Sequence, residues 1–284
     1  MGGHGTGLTE MQRFQKVFGR LQAAAIGMVH VGALPGTPRS SATVGQLIDK
    51  ACQEAEIYKR AGLDAVMVEN MHDVPYLLGS GVGPEVTATM TAVCQEVRRV
   101  CPRVPCGVQV LSAANKQALA VALAAGLDFV RVEGFVFSHV ADEGLLNSCA
   151  GDLLRYRTMI GADSIMVFTD IKKKHSSHAI TADVSIADTA RAAEFFLSDG
   201  VIVTGTETGR PVDSKELKEV HQAVDIPVLV GSGVSTENLP TYLWANGLIV
   251  GSYFKKNGRW QNNVDQDRVD RFMDRLSTLR QKLR

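Results

Sequence analysis

Short apolar runs rich in β-branched residues, each following a Gly or Pro break, alternate along the chain with longer segments whose apolar residues recur every three or four positions. The runs fall at about 25–31, 64–70, 106–111, 128–133, 163–169, 200–204, 226–231 and 247–251. Between them the helical spacing predicts helices over Val44–Ala61, Glu85–Val100, Asn115–Ala125, Leu153–Ile160, Ile186–Leu197, Ser214–Ala223 and Thr236–Trp244. Strands alternating with helices, without a linker or a shift in composition, predict an α/β fold of one domain, a closed (β/α)8 TIM barrel. A last helix over 264–284 turns Val264, Val269, Phe272, Met273, Leu276 and Leu279 inward and leaves its many Arg residues on a solvated face.

A repeated phrase supports the closed sheet. Ala61-Gly62-Leu63-Asp64 leads into Ala65–Asn70, and Ala125-Gly126-Leu127-Asp128 leads into Phe129–Gly134. Weaker echoes begin at Asp163, Asp199 and Asn246. Each copy ends a helix at or near Gly and enters a strand. Within the strands, alternation separates core from chemistry. Val66, Val68, Val108, Val110, Val130 and Val132 take the helix side, which aims Met67, Glu69, Gln109, Arg131 and Glu133 into the barrel axis. Arg131 there either pairs with Glu69 or Glu133 or meets a substrate, since a buried charge must be matched.

Met11–Leu21 carries Arg13, Lys16 and Arg20 among apolar residues, so residues 1–17 are set apart as an N-terminal extension to a barrel over 18–284. The extension reads either as an organelle-targeting helix or as an extra helix plugging the lower end of the barrel. Glu10 and the short length favour the plug. The Gly-rich opening lacks the apolar core of a secretory signal, and the longest apolar stretch, Ala23–Gly36, is too short and too punctuated to span a bilayer. A cytoplasmic location is therefore expected, with a mitochondrial one as the alternative.

Composition narrows the field. At 284 residues and 45% hydrophobic, the chain can bury one large core, and its formal net charge of zero gives no overall field for nucleic acid or an anionic membrane. The five cysteines, Cys52, Cys94, Cys101, Cys106 and Cys149, form no CxxC pair, so reduced thiols are expected. No P-loop, dinucleotide fingerprint, GxSxG elbow or zinc-type His spacing occurs, and no cofactor is implied. A divalent metal held by His30, Glu69 and Asp170 is the one low-ranking metal site the sequence offers.

The candidate chemistry lies at strand ends, where barrel enzymes keep their sites. Gly231-Ser232-Gly233-Val234 after the seventh strand and Gly251-Ser252 after the eighth are small enough to let backbone amides reach an anion, with a helix starting near Thr236 adding its dipole. Thr204, Thr206, Thr208 and Arg210 make the sixth loop a candidate for gripping sugar or phosphate oxygens. The fifth loop supplies Asp170, Lys174 and His175, while Lys172 and Lys173 read as a solvated charge run. His30 ends the first strand as acid, base, ligand or satisfied core residue.

These segments carry a resemblance. Met28–Pro38, Glu69–Tyr76, Asp170–His175, Thr204–Gly209, Val228–Asn238 and Ile249–Ser252 fall in order at strand ends and resemble the BtpA family from about Phe18 onward. The resemblance implies a barrel with phosphate loops like those of the ribulose-phosphate-binding barrels, and it adds Asn70 and Asp73 to the matched positions. The family is named for a membrane-associated factor needed for photosystem I biogenesis. Two departures stand out: Gly107–Ala114 lacks the family's Asn-rich segment, keeping only Gln109, and Glu133 stands where bacterial members often carry Asn.

Together these readings predict an enzyme acting on a phosphorylated small molecule, a sugar or nucleoside derivative, by acid-base isomerase, lyase or hydrolase chemistry. Glu69, Asp170 and Glu133 are the candidate carboxylates, with Glu69 and Asp170 as proton carriers; His30 and His175 polarise or shuttle, and Lys174 partners an anion. The alternative is a non-catalytic assembly factor for a membrane protein complex. No nucleic-acid partner is expected, and the oligomeric state stays open, a homo-oligomer included.

Overall fold

The computed structural model describes residues 7–282. Its strands are β1 (Ala24–His30), β2 (Ala65–Glu69), β3 (Cys106–Gln109), β4 (Phe129–Val132), β5 (His139–Ala141), β6 (Gly144–Leu146), β7 (Met166–Ile171), β8 (Ser176–Ser177), β9 (Gly200–Val203), β10 (Val228–Val230) and β11 (Gly247–Val250). Eight of them close into a parallel barrel in the order β1-β11-β10-β9-β7-β4-β3-β2. The helices are α1 (Glu10–Phe18), α2 (Val44–Arg60), α3 (Pro84–Val100), α4 (Asn115–Ala125), α5 (Ala150–Met159), α6 (Ile186–Phe195), α7 (Ser214–Ala223), α8 (Leu239–Tyr242) and α9 (Gln266–Gln281). The predicted (β/α)8 barrel is the observed fold.

The inside–outside alternation holds throughout. Val66, Val68, Val108, Val110, Val130 and Val132 belong to the layer between sheet and helices. Ile26, Met28, Met67, Phe129, Met166, Phe168, Ile202, Leu229 and Ile249 fill the barrel interior. The lower end of that interior is closed by α1, whose Phe14 and Phe18 stack 4.3 Å apart and meet Phe129 and Phe168. A capping box between Thr9 and Gln12 starts this helix, and Gly19 at φ 71° ends it. The plug reading is thus the observed one, and the helix runs across the boundary expected after residue 17. The Gly-rich opening on which the secretory-signal reading rests lies, except for Gly7, outside the described residues, as do the last two residues of the expected 264–284 helix.

The repeated Gly-Leu-Asp phrase has a mechanical explanation. Asp64 accepts a hydrogen bond from the amide of Ala25 at 2.7 Å, Asp128 from that of Cys106 at 2.9 Å, Asp199 from that of Val167 at 2.7 Å, and Asn246 from that of Val228 at 2.8 Å. In each case the residue preceding a strand satisfies the amide of the first or second residue of the barrel strand before it, so four stitches tie the strands in pairs at the lower rim. Arginines neutralise the carboxylates there: Arg20 and Arg280 at Asp64, Arg98 at Asp128, Arg13 and Arg157 at Asp199.

The structure departs from expectation in three places. Strand β7 begins at Met166 rather than at 163, because Asp163 accepts from the Thr158 hydroxyl and Ile165 donates to Ala162 O, which holds a turn. The helix expected from Thr236 shrinks to the four residues of α8. Asn238 accepts from the Ser235 amide and donates to Gly233 O, so its side chain replaces the first helical turn. Finally, β6-β5-β8 form a small antiparallel sheet above the mouth. Its strands are two or three residues long, too short for a period-2 pattern to show.

Candidate functional site

The strand ends lead into a cavity of about 530 Å3 at the C-terminal mouth of the barrel. Glu69, Gln109, Arg131, Glu133 and Asp170 all line it, as alternation requires. On its floor the Arg131 guanidinium grips Asp170 through Nε and Nη2 at 2.9–3.2 Å. Asp170, rather than Glu69 or Glu133, is therefore the partner of Arg131, and the carboxyl expected as a proton carrier is engaged in that pair. Burial pushes its carboxyl up and the guanidinium works against that. Glu133 is likewise engaged: it accepts from Lys173 Nζ at 3.1 Å and from the Ala113 amide at 2.9 Å. Its carboxyl lies below the usual range, because burial, which raises it, is outweighed by the charge and hydrogen bond of Lys173.

The lysine run divides three ways. Lys172 donates to Thr181 O at 2.8 Å, and Lys173 is buried against Glu133 rather than solvated. Lys174 lines the cavity, and among the described residues its ammonium meets no hydrogen-bond or ion-pair partner. Its backbone amide is held by the Thr204 hydroxyl at 3.0 Å, which is how Thr204 serves the site. Burial and the nearby Arg131 lower the Lys174 amine from 10.5 to about 8, against the pull of the surrounding carboxylates.

Glu69 and His30 form the remaining pair. His30 Nδ1 lies 3.2 Å from the carbonyl of Trp260, which has no proton to give, so Nδ1 carries the proton and Nε2 is an acceptor. That nitrogen stands 3.6 Å from Glu69 Oε2. Burial and the Lys255 charge hold the imidazole far below its ordinary value, hence neutral. Burial raises the Glu69 carboxyl, with Arg131 and Lys174 opposing. Because Asp170 is turned to Arg131, the metal trio of His30, Glu69 and Asp170 is not assembled, and no three His, Cys, Asp or Glu side chains converge as metal ligands among the described residues.

Both glycine loops reach the cavity, with Gly231–Ser235 on one side and Gly251–Tyr253 beside them. The Gly231 amide is spent on Val203 O, and the Ser232 hydroxyl accepts from Gly205 N and donates to Arg210 O. The amides of Ser232, Gly233 and Val234, and those of Ser252 and Tyr253 at the start of a 3-10 turn, donate to no group among the described residues. The expected helix dipole is missing, since α8 is short and begins only at Leu239. Gly233 adopts φ 65°, and a Cβ there would run into the backbone of Arg210 and Pro211, so the loop needs glycine.

Other expected residues brace the mouth, His175 and Thr208 from within the lining and Asn70 and Asp73 from outside it. Asn70 Nδ2 donates to Asp73 at 2.9 Å and Asn70 Oδ1 accepts from Leu111 N at 2.7 Å, while Asp73 also accepts from Leu34 N and the Thr37 hydroxyl. Every polar atom of the pair is committed to joining the first three loops, and neither residue lines the cavity. His175 Nε2 accepts from the Thr208 amide and meets its hydroxyl at 2.9 Å, and the Thr206 carbonyl accepts from the His175 amide. His175 and Thr208 thus latch two loops together at the cavity rim. Thr206 and Arg210 lie outside the lining, and the exposed Arg210 stands 3.8 Å from Glu207. Sequence reasoning missed Arg268 of α9, which lines the cavity while stacked 4.5 Å over the Tyr253 ring. It sits among arginines of one type on a polar helix face, and nothing in their spacing singles it out.

Residues 21–278 match the family model described as BtpA family. The chain belongs to the BtpA family. It is 45% identical over 269 residues to a Caenorhabditis elegans protein named as mitochondrial, covering 93% of this chain and 97% of that one. It is 32% identical over 254 residues to the photosystem I biogenesis protein BtpA of Synechocystis, covering 89% and 87%. In solved structures it is similar to N-(5'-phosphoribosyl)anthranilate isomerase of Pyrococcus furiosus, with a TM-score of 0.55 at 13% identity over 90% of this chain and 99% of the other. Thiamine phosphate pyrophosphorylase of the same organism gives 0.54 at 13% identity, over 90% and 96%. Those two likenesses carry the fold. The segments behind the BtpA resemblance are the strand ends and loops that line or brace this mouth, and no helix among the described residues is long and apolar enough to cross a membrane.

Proposed function

We propose that this BtpA-family chain is an enzyme that binds a phosphorylated small molecule, a sugar or nucleoside derivative, and moves a proton on it in isomerase, lyase or hydrolase chemistry. One observation carries the reading: the uncommitted amides of Ser232–Val234 and Ser252–Tyr253 share a cavity with the Glu69–His30 pair and the unpartnered Lys174. Converging amides with the Arg268 cation beside them suit a phosphate. On the floor, a carboxyl that burial raises stands beside an imidazole nitrogen, Nε2, that can accept, a pairing suited to passing a proton. Lys174 is placed to stabilise developing negative charge, while Arg131–Asp170 and Lys173–Glu133 fix the surrounding field.

The opposing reading, an assembly factor for a membrane complex, draws on the name of the Synechocystis relative. It gives no role to a half-desolvated amine without a partner. The worm relative's name supports a mitochondrial location over a cytoplasmic one. The test has two arms. Inorganic phosphate should raise the melting temperature of the parent chain by mass action and leave Gly233→Ala unmoved. Phosphorylated sugars and nucleosides in deuterated water, followed by NMR, should show exchange or conversion that Glu69→Gln loses. Absence of a phosphate effect on the parent removes the site; binding without turnover across the panel favours the assembly reading.

A further inference from the structure

In the eight-stranded ring, β10 and β3 stand four strands apart in either direction, so the loops after them face each other across the mouth. The uncommitted amides lie on the β10 and β11 side. The far wall is apolar, made of Met71, Val74 and Tyr76 from the loop after β2 and Leu111 from the loop after β3. Each is half-buried and lines the cavity. Trp260 continues the wall past β1, its ring edge-on to His30 at 6.4 Å and tilted against His72 at 5.1 Å.

Set into this wall is Gln109. It is 2% exposed, it lines the cavity, and its amide oxygen has no partner among the described residues. A buried carboxamide left unpaired is costly, so its natural complement arrives with the ligand. A sugar phosphate by itself covers the amide side of the mouth and leaves both the apolar wall and Gln109 unmatched. A flat ring with a hydrogen-bonding edge matches both. A cavity of about 530 Å3 has room for such a molecule, within the size range of small-ligand pockets.

We infer that the ligand of this site is a phosphate ester bearing a heteroaromatic ring of nucleobase type. Its phosphate rests on Ser232–Val234 and Ser252–Tyr253, its ring lies along Trp260 and the Met71–Leu111 wall, and the ring's polar edge meets Gln109. This rests on the phosphate reading above and narrows its substrate class.

The experiment titrates the full chain with inorganic phosphate, ribose 5-phosphate and the four ribonucleoside 5'-monophosphates, following tryptophan emission and melting temperature. At least one nucleotide is expected to bind about tenfold or more tightly than ribose 5-phosphate, because stacking on an aromatic ring adds to the phosphate contacts. Its binding should quench the emission of Trp260. Trp260→Phe should lose that quenching while Trp244 reports unchanged, and Gln109→Leu should shrink the nucleotide's advantage without weakening ribose 5-phosphate. If Gln109→Leu does not fold, Met71→Ser at a half-buried position serves the same arm. Ribose 5-phosphate binding as tightly as every nucleotide overturns the inference and leaves the phosphate site standing. Failure of phosphate, ribose 5-phosphate and nucleotides alike removes both.

Discussion

Replacing Asp170 by Asn separates a structural carboxylate from a catalytic one. The side chain is 2% exposed and that of its partner Arg131 5%, and the guanidinium contacts both carboxylate oxygens at 2.9–3.2 Å. Removing one member of a buried ion pair costs about 3–5 kcal/mol, mostly from stranding the other charge. Here Glu69 and Glu133 face the same guanidinium and take up part of that charge, so the expected loss lies near the lower end, about 3 kcal/mol. At about 2 °C per kcal/mol for a chain of this size, the melting temperature should fall by about 5–6 °C. Calorimetry and urea denaturation at neutral pH read this directly. The double change Arg131→Met with Asp170→Leu should recover part of the loss, since no charge is then left unpaired. A variant Asp170→Asn melting within about 2 °C of the parent, but devoid of turnover, refutes the reasoning and returns Asp170 to the role of proton carrier expected from the sequence.

Three further outcomes follow from the geometry. Competitive acylation read by mass spectrometry should give Lys174 a half-reaction pH near 8, from the lowered value of about 8; a Lys174 midpoint near 10.5 contradicts its desolvated placement. His30 should stay neutral and protonated on Nδ1 through mildly acidic pH in nitrogen-edited NMR. Its folded value is depressed, so the unfolded chain binds the extra proton, and its contribution to stability is present above about 6.5 and lost as the pH falls below it. A midpoint near 6.5 contradicts this. Phe14→Ala should cost about 3–5 kcal/mol by emptying the plug, measured by urea denaturation, and a loss below about 1 kcal/mol means that α1 does not close the barrel.

The barrel was legible because its determinants are local. The Gly-Leu-Asp phrase announced strand entries, and the valines at 66, 68, 108, 110, 130 and 132 set which way Glu69, Gln109 and Arg131 point. What the phrase does was not legible, because its carboxylates bond to amides of strands tens of residues away. The same limit governs the site. Glu69 and Lys174 reach the cavity as the strand ends imply, yet whether a polar side chain stays uncommitted depends on partners brought in by other loops. Asp170, Asn70, Asp73 and His175 are all consumed in this way. The Asp163 echo misled for a related reason: one hydroxyl, that of Thr158, turned a strand start into a turn. Arg268 and Trp260 come from segments with no strand-end signature, and only the closed ring brings them to the mouth.

The claim that the mouth is a phosphate site is tested most directly by a crystal structure of the chain soaked in phosphate. A tetrahedral anion within hydrogen-bond reach of the amides of Gly233, Val234, Ser252 and Tyr253, with Arg268 beside it, is the predicted result. Phosphate found instead in the basic cleft at the opposite end of the barrel, between Lys16 and Arg103, with the mouth empty at saturating concentration, contradicts the account.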